Sequence, residues 1–443
     1  MRYDKALSEL GNLYFAPSSR VQLFRESLQR RTGRSRRRLD RADLSDPLRL
    51  TVALELFLSP KSLSLRSQKP VRQAIALVAE RVGDGDHAEI TDRLMEIGED
   101  RNSLYDVDHD RLFGLTRAIR SSGLFAASHA FEEKALKAFF AHAENLTGAR
   151  GHLHRARIAL AIDDTDRAAQ SLKALRGFAS WTQVNLLQET IRYLELAAGE
   201  EPTLRVRDRD EKGLLQSIVK DATVLIYGPG PTEDSVEQSL HEAPVARVLM
   251  PGVSWNSEAD LVGNRVDVAY ANGETTTWLA SLEANELRNA VANQRVVVFK
   301  GNGDREKALR SAIADACSAI PRPGLIDGSP NQVPIMMWDL LARGAAKIHV
   351  IGASFFLGKE PYREGNRRLE PETGERRDAF GSLGPYFQCF SLAKHNASMG
   401  RQFAQVLAKT AKVTGDAHFM NALALSRLQY LEQLDAIYGR PRL

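Results

Sequence analysis

Short apolar runs that alternate with helical stretches fill the second half of the chain, and they constrain the fold more than any other feature. The runs have the length of buried strands and occupy residues 224–227, 247–250, 266–270, 295–299 and 348–351. Stretches of helical periodicity separate most of them, at 281–293, 305–320 and 333–344. Strands that alternate with helices form a mainly parallel sheet with helices on both faces. We therefore predict an α/β, Rossmann-like domain.

The first apolar run leads directly into the sequence Gly-Pro-Gly-Pro at 228–231. Neither a helix nor a strand continues through it, because glycine permits unusual φ angles and proline fixes φ and lacks an N–H. Thr232 then has the position of an N-cap for a helix over about 233–241. A buried strand, a glycine turn and a helix N-terminus together can hold a phosphate. An ordinary strand–helix connection is the alternative, and both interpretations stay open.

Two common ligand classes fit this turn poorly. The dinucleotide fingerprint requires a third glycine where Glu233 stands, and no Gly-Lys-Ser/Thr phosphate loop is present in the sequence. Acidic motifs at 106–110 and 208–210 precede the first strand, so we interpret them as turns or helix starts rather than as a metal clamp. A dehydrogenase or an NTPase is disfavoured, and we expect a reaction without a metal or cofactor.

The first half of the chain has a helical pattern that begins near Leu48 and continues through 112–142 and 153–196. Two alanine-rich stretches, at 125–131 and 155–169, resemble tetratricopeptide-type helical repeats. We predict an all-α domain over residues 1–200 for protein interaction or homo-oligomerisation. A polar linker at 201–215 precedes the Rossmann-like domain at 216–443.

Composition sets the cellular expectation. The 443 residues carry a net charge of +4, with 43% hydrophobic and 26% charged residues, as in soluble globular proteins. The N-terminus lacks the apolar core of a signal peptide, and Cys317 and Cys389 lie far apart, so we predict a cytoplasmic protein. The basic run from Arg30 to Arg41 predicts either peripheral contact with anionic lipid at the inner face of a membrane or a solvated segment. No nucleic-acid partner is expected.

Four segments in the second half occur in the order found in one family of enzymes. They are the strand and turn at 224–232, the stretch Val-Gly-Asn-Arg-Val-Asp with a later asparagine at 262–272, the turn at 328–331 followed by 347–356, and the segment at 395–403 that begins with a histidine. The last segment opens an amphipathic helix that we predict to end near 413–416. This order resembles the sialyltransferase-type glycosyltransferases over about residues 220–416. Pro229 stands where many relatives have asparagine, and Gly400 and Arg401 lie where a glutamate often follows the histidine.

The resemblance implies transfer of an acidic sugar, of the sialic-acid or Kdo type, from a CMP-activated donor to a glycan or glycoprotein acceptor in polysaccharide biosynthesis. The donor-binding residues would be Gly228, Pro229, Gly230, Thr232, Asn272, Ser329, Asn331, Gly352 and Ser354. Turn geometry for the glycines, a strand-end turn for Asn272 and N-capping for Ser329 and Asn331 are the alternatives.

His395 would be the catalytic acid or base, since a side chain with a pKa near neutrality can deprotonate an acceptor hydroxyl. The alternative is a helix-start histidine packed against the sheet, with Asp267 and Asp339 the next catalytic candidates. Arg363, Arg367 and Arg368 lie in a long basic stretch and would bind the sugar carboxylate or the acceptor, or remain solvated. His349, inside an apolar run, is predicted to be a core histidine.

Two rival functions remain open. One is a non-catalytic nucleotide-binding sensor or scaffold that carries a helical interaction domain. The other is a Rossmann-type dehydrogenase or methyltransferase.

Overall fold

The computed structural model describes residues 63–82, 86–100, 104, 106–162, 164–175, 177, 213–230, 242–249, 265–300, 304–313, 315–319, 331–358, 368–369, 376–377 and 396–438. These residues belong to two compact units. The helical unit contains three groups of described residues: those up to Leu146, the single residue Asn396, and those from Ser426 onward. The sheet unit contains the described residues from Thr147 to 377 and those from Ala397 to Leu425.

The described helices are α1 (Leu65–Val82), α2 (His87–Glu99), α3 (His109–Ser121), α4 (Phe125–Glu144), α5 (Gly148–Ala161), α6 (Thr165–Leu175), α7 (Leu214–Val219), α8 (Gly273–Leu279), α9 (Ala284–Ala290), α10 (Asp304–Ala312), α11 (Gln332–Ala342), α12 (Ala397–Ala408), α13 (Ala417–Ala424) and α14 (Arg427–Tyr438). The strands are β1 (Thr223–Tyr227), β2 (Val245–Leu249), β3 (Val266–Ala271), β4 (Gln294–Lys300), β5 (Ala316–Ala319), β6 (Lys347–Ile351), β7 (Arg368–Leu369), β8 (Arg376–Arg377) and β9 (Val413–Gly415).

Helix α4 is the centre of the helical unit and packs against α2, α3 and α14. Its buried face combines Phe125, Phe131 and Leu136 with alanines, and the small side chains let neighbouring helices approach closely. Gly98 of α2 marks a close approach of α2 to α4, because an added Cβ there would lie 2.6 Å from the Cβ of Ala130. The carboxylate of Asp435 in α14 accepts hydrogen bonds from the first two amides of α4, which satisfies donors that have no partner within the helix.

The sheet unit is a parallel α/β fold, as predicted. Its seven strands have the order β5-β4-β3-β2-β1-β6-β9, and all of their pairings are parallel. The five predicted strands are all present. Two further strands lie where the ends of helices were predicted. The helix predicted over 305–320 ends at Ala312, and Ala316–Ala319 forms β5. Residues 413–415, predicted as a helix end, form β9.

Neighbouring side chains of a strand point to opposite faces of the sheet. Buried side chains on both faces of β3 show that helices cover the sheet on both sides. Ala269 and Ala271 of β3 pack in a core cluster that includes Leu279 of α8 and Leu309 of α10. Tyr270, between these two alanines, instead donates a hydrogen bond to Asp339 of α11. Helix α11 therefore lies on the opposite face, where it also contacts α12.

The structure divides the chain differently from the predicted domain boundaries. Helix α14 belongs to the helical unit, although residues 216–443 were predicted to form one Rossmann-like domain. Helices α5 and α6 belong to the sheet unit, although residues 1–200 were predicted to form one helical domain. The basic run at 30–41 and most of the predicted linker at 201–215 lie outside the described residues. None of the helices in the described ranges is long and apolar enough to cross a bilayer.

Candidate functional site

The strand order creates a switch point between β1 and β6. From β1 the chain adds β2 to β5 on one side of the sheet, and it then crosses to β6 on the other side of β1. In open parallel sheets, ligands bind outside the carboxyl ends of the strands at such a point. The turns that follow β1 and β6, beginning at Gly228 and Gly352, lie at this edge and contain five of the predicted donor-binding residues.

Backbone hydrogen bonds join the two turns directly. The amide of Gly228 donates to the carbonyl oxygen of Ile351 at 2.7 Å, and the amide of Gly230 donates to that of Gly352 at 2.8 Å. An added Cβ at Gly228 would lie only 2.4 Å from the carbonyl oxygen of Gly352. Glycine is therefore required here because two backbone segments approach each other.

This arrangement corrects the predicted role of the two glycine amides. Gly228 and Gly230 were expected to donate to a donor phosphate, but the Gly228 amide already donates to Ile351 at the end of β6, and the Gly230 amide donates to Gly352 in the turn that follows. Turn geometry, the alternative interpretation, accounts for both glycines. Pro229 lies between them and has no N–H to offer, and Thr232 lies outside the described residues.

The turn after β6 has an uncommon backbone. Gly352, Phe355 and Phe356 have φ angles of +66°, +52° and +69°. These values lie in the left-handed region, which residues other than glycine rarely adopt. Phe355 is buried and stacks on Phe419, with ring centroids 5.9 Å apart. Ser354, predicted to contact the donor, is also mostly buried. Left-handed residues persist only where surrounding contacts hold them.

Asp416 supplies such contacts and was not identified from the sequence. It is the N-cap of α13 and is only 5% exposed. Its Oδ1 accepts the amide of Phe419 at 2.8 Å, and its Oδ2 accepts the amide of Gly352 at 2.6 Å. An aspartate directly before an alanine-rich helical stretch is a recognisable capping signal, which the prediction of a helix end at 413–416 obscured.

The N-terminus of α11 also lies at the carboxyl edge of the sheet. The last turn of this helix is anchored at the opposite edge, because the amide of Asp221, just before β1, donates to the carbonyl oxygen of Gly344. Asn331 is the N-cap residue of α11, but its side chain makes no capping hydrogen bond. Gly400 of α12 packs against it: an added Cβ there would lie 3.4 Å from the amide nitrogen of Asn331.

Asn272 also lies at this edge, after β3, but it acts as a helix cap. Its Oδ1 accepts the amide of Thr275 at 2.8 Å, at the start of α8. This geometry matches the turn interpretation.

The two alternative catalytic carboxylates have structural partners away from this edge. Asp267 lies at the amino end of β3, where it accepts the amide of Val245 at 2.8 Å and forms an ion pair with Arg265 at 3.0 Å. Asp339 is fully buried within α11 and accepts from the hydroxyl of Tyr270 at 2.7 Å and from Nε of Arg343 at 3.1 Å.

The remaining predicted site residues cannot be located at this edge. His395, Thr232, Ser329, Arg363 and Arg367 lie outside the described residues. The backbone of Arg368 pairs with that of Arg377 in the β7–β8 hairpin.

His349, predicted to be a core histidine, has a hydrogen-bond partner in the neighbouring strand. His349 is partly buried in β6, and its Nδ1 lies 3.0 Å from the hydroxyl of Thr414, so it is a satisfied histidine of the sheet. Within the described ranges, no three His, Cys, Asp or Glu side chains cluster as a metal site would require. Comparisons with protein-family models, with curated proteins and with solved structures returned no match for this chain.

Proposed function

We propose that the sheet unit binds a CMP-activated acidic sugar at the carboxyl edge of β1 and β6 and transfers the sugar to a glycan or glycoprotein acceptor. The observation that carries this proposal is the switch point. Segments 228–230 and 352–354, which are distant in the chain and which both resemble donor-binding segments, meet at the edge where parallel sheets bind ligands.

The donor phosphate is assigned to the N-terminus of α11 rather than to the glycine turns. The amides of Gly228 and Gly230 are occupied, whereas the amides of Gln332 and Val333 at the start of α11 have no partner within the helix, and Pro334 has no N–H. The Asn331 side chain does not cap these amides in the described structure. A helix N-terminus also carries a partial positive charge that favours an anion.

His395 is proposed as the acid or base of the transfer. It directly precedes Asn396 and the first turn of α12, and this turn packs against Asn331 through Gly400. A histidine can take the proton of the acceptor hydroxyl because its pKa is close to neutrality.

A thermal-shift series tests the proposal. CMP should raise the melting temperature in the presence of EDTA, since a ligand at 100 times its Kd stabilises a protein by about 2.7 kcal/mol. UDP, GDP, NAD and S-adenosylhomocysteine provide the comparison. Stabilisation by UDP with Mg²⁺ but not by CMP would contradict the proposed donor, and stabilisation by NAD or S-adenosylhomocysteine would favour the rival enzymes.

Two variants locate the site and separate an enzyme from a sensor. Asn331→Asp should keep the melting temperature, because the Asn331 side chain makes no capping hydrogen bond that the change would remove, yet the added negative charge should weaken CMP binding. Unchanged CMP affinity in this variant would exclude the N-terminus of α11 as the phosphate site. His395→Ala should retain CMP binding and lower turnover by about two to four orders of magnitude.

A further inference from the structure

We call the carboxyl edge of β1 and β6, with the turns that begin at Gly228 and Gly352, the ligand edge. One carboxylate, that of Asp416, links three elements there. Its Oδ1 accepts the amide of Phe419 in α13, and its Oδ2 accepts the amide of Gly352 in the turn after β6. The carbonyl oxygen of Gly352 in turn accepts the amide of Gly230 in the turn after β1. A continuous chain of hydrogen bonds therefore runs from α13 through both turns of the switch point.

The turn after β6 depends on contacts of this kind. Its left-handed residues Phe355 and Phe356 are held in a conformation that an isolated chain would leave. Asp416 fixes the beginning of the turn at Gly352, and the ring of Phe419, whose amide binds the same carboxylate, stacks on Phe355. The carboxylate thus orders both the backbone of the turn and the aromatic contact that supports it.

Close packing fixes α13 against the end of β6. An added Cβ at Gly415 would lie 2.5 Å from the carbonyl oxygen of Val350 and 2.5 Å from Cδ1 of Phe419. The amide of Asp416 donates to the same carbonyl group at 2.9 Å. Because the backbone of Asp416 is held on both sides, its carboxylate has a defined position relative to Gly352.

We propose that Asp416 is a positioning residue of the ligand edge, whose carboxylate sets the shape of the turns after β1 and β6. It acts through Gly352 and does not itself have to contact a ligand. The part of this inference that concerns ligand binding rests on the proposed function, because the ligand that would sense the shape is a CMP-activated sugar.

The role differs from that of an ordinary helix cap. Asp108 shows the ordinary case in the helical unit: its Oδ1 accepts the amide of Arg111 at 3.0 Å, and its side chain is 47% exposed. Asp108→Ala is therefore a matched control, because it removes an aspartate N-cap from a helix that has no part in the switch point.

The first measurement is amide hydrogen exchange in Asp416→Ala, Asp416→Asn and Asp108→Ala. Exchange at Gly352 and Gly230 should become about tenfold faster in Asp416→Ala, because the Gly352 amide loses its buried carboxylate acceptor and the Gly230 amide donates to the carbonyl group of the residue thus released. Exchange in β4, which three strands separate from β6, should not change. Asp416→Asn should lie between wild type and Asp416→Ala, because asparagine keeps one carbonyl oxygen as an acceptor. Asp108→Ala should leave Gly352 and Gly230 unchanged.

The second measurement is the Kd for CMP by calorimetry. It should rise about tenfold in Asp416→Ala, partly recover in Asp416→Asn and stay at the wild-type value in Asp108→Ala. Unchanged exchange at Gly352 in folded Asp416→Ala would overturn the inference. Faster exchange with unchanged CMP affinity would also overturn it, since Asp416 would then be only a structural cap.

Two outcomes separate this inference from the proposed function. If wild-type protein does not bind CMP, the proposed donor is wrong, and exchange at Gly352 and Gly230 still decides whether Asp416 shapes the turns. If Asp416→Ala does not fold, the same measurements on Asp416→Asn decide the matter, since this variant keeps the side-chain volume. Wild-type exchange at both glycines in Asp416→Asn would then refute the role of the carboxylate.

Discussion

Replacing Gly228 by alanine tests the close contact between the turn after β1 and the backbone of Gly352 after β6. The new Cβ would lie 2.4 Å from the carbonyl oxygen of Gly352 and 2.9 Å from its carbonyl carbon. Both atoms are backbone atoms, so the two turns would have to separate by about 1 Å to restore normal contact distances. Such a shift would also break or weaken the hydrogen bonds from Gly228 to Ile351 and from Gly230 to Gly352.

The expected cost follows from these two effects. Overpacking in a closely packed region costs about 1–3 kcal/mol, and each weakened hydrogen bond adds about 0.5–1.5 kcal/mol. With two hydrogen bonds affected, we therefore expect Gly228→Ala to lower the free energy of unfolding by about 2–6 kcal/mol. Urea denaturation followed by tryptophan fluorescence provides the measurement, because the fully buried Trp338 lies in the same unit.

Gly273→Ala is the matched control. Gly273 is the first residue of α8, at the same edge of the sheet, and an added Cβ there would meet nothing within 4 Å. Alanine favours a helix over glycine by about 1 kcal/mol, so this variant should be as stable as wild type or slightly more stable. The comparison thus separates the effect of a close contact from that of losing a glycine.

The result also distinguishes the two interpretations of Gly228. If the glycine served only to let a phosphate approach, Gly228→Ala would keep wild-type stability and lose CMP affinity. Wild-type stability in Gly228→Ala would therefore refute the close contact between the two turns, whatever happens to binding.

Two further predictions concern the helical unit. Burial raises the pKa of Asp435 to about 7 from 3.8. Because the folded-state pKa lies above the unfolded value, this group favours folding below about pH 4, and its contribution is lost as the pH rises through about 7. Between pH 4 and 7, the melting temperature of wild type should therefore fall relative to that of Asp435→Asn. A difference between the two melting temperatures that stays constant over this range would contradict the prediction. Glu132 is buried and forms ion pairs with Arg120 at 3.3 Å and Arg427 at 2.6 Å. Glu132→Gln should therefore lower the free energy of unfolding by about 3–5 kcal/mol. The neighbouring exposed Glu133→Gln should cost less than about 1 kcal/mol, and equal costs in denaturation would refute the buried cluster.

The central strands were predictable because a buried parallel strand is an almost continuous apolar run. Residues 224–227 and 348–351 show this clearly, and their burial on both faces explains the pattern. The edge strands were not predictable in the same way. Strand β5 has the sequence Ala-Cys-Ser-Ala, whose small residues continue the preceding helical pattern, and β9 contains only three residues.

Long-range contacts explain why the two compact units differ from the predicted domain boundaries. Helix α14 has no sequence feature that assigns it to the helical unit, yet Asp435 accepts the amide of Phe125, 310 positions earlier in the chain. Periodicity identifies a helix and its apolar face, but it does not identify the helix against which that face packs.

The candidate site was predictable in position but not in chemistry. A glycine turn after a buried strand indicates the ligand edge, because the carboxyl ends of parallel strands meet there. Whether the amides of such a turn are open to a ligand depends on a second turn that the local sequence does not reveal. Here the turn after β6 accepts both amides, and Asp416 holds this second turn from a third segment.

The occupied amides also determine where the anionic groups of the proposed donor could bind. A helix N-terminus carries about half an elementary positive charge, so the N-terminus of α11 suits one anionic group, the phosphodiester of a CMP-sugar. An acidic sugar adds a second charged group, its carboxylate, which needs a positive partner of its own. The glycine turns do not supply that partner, because Gly228 and Gly230 donate to carbonyl oxygens instead. The proposed donor therefore requires cationic side chains for its carboxylate, and Arg363, Arg367 and Arg368 are the residues predicted for that role.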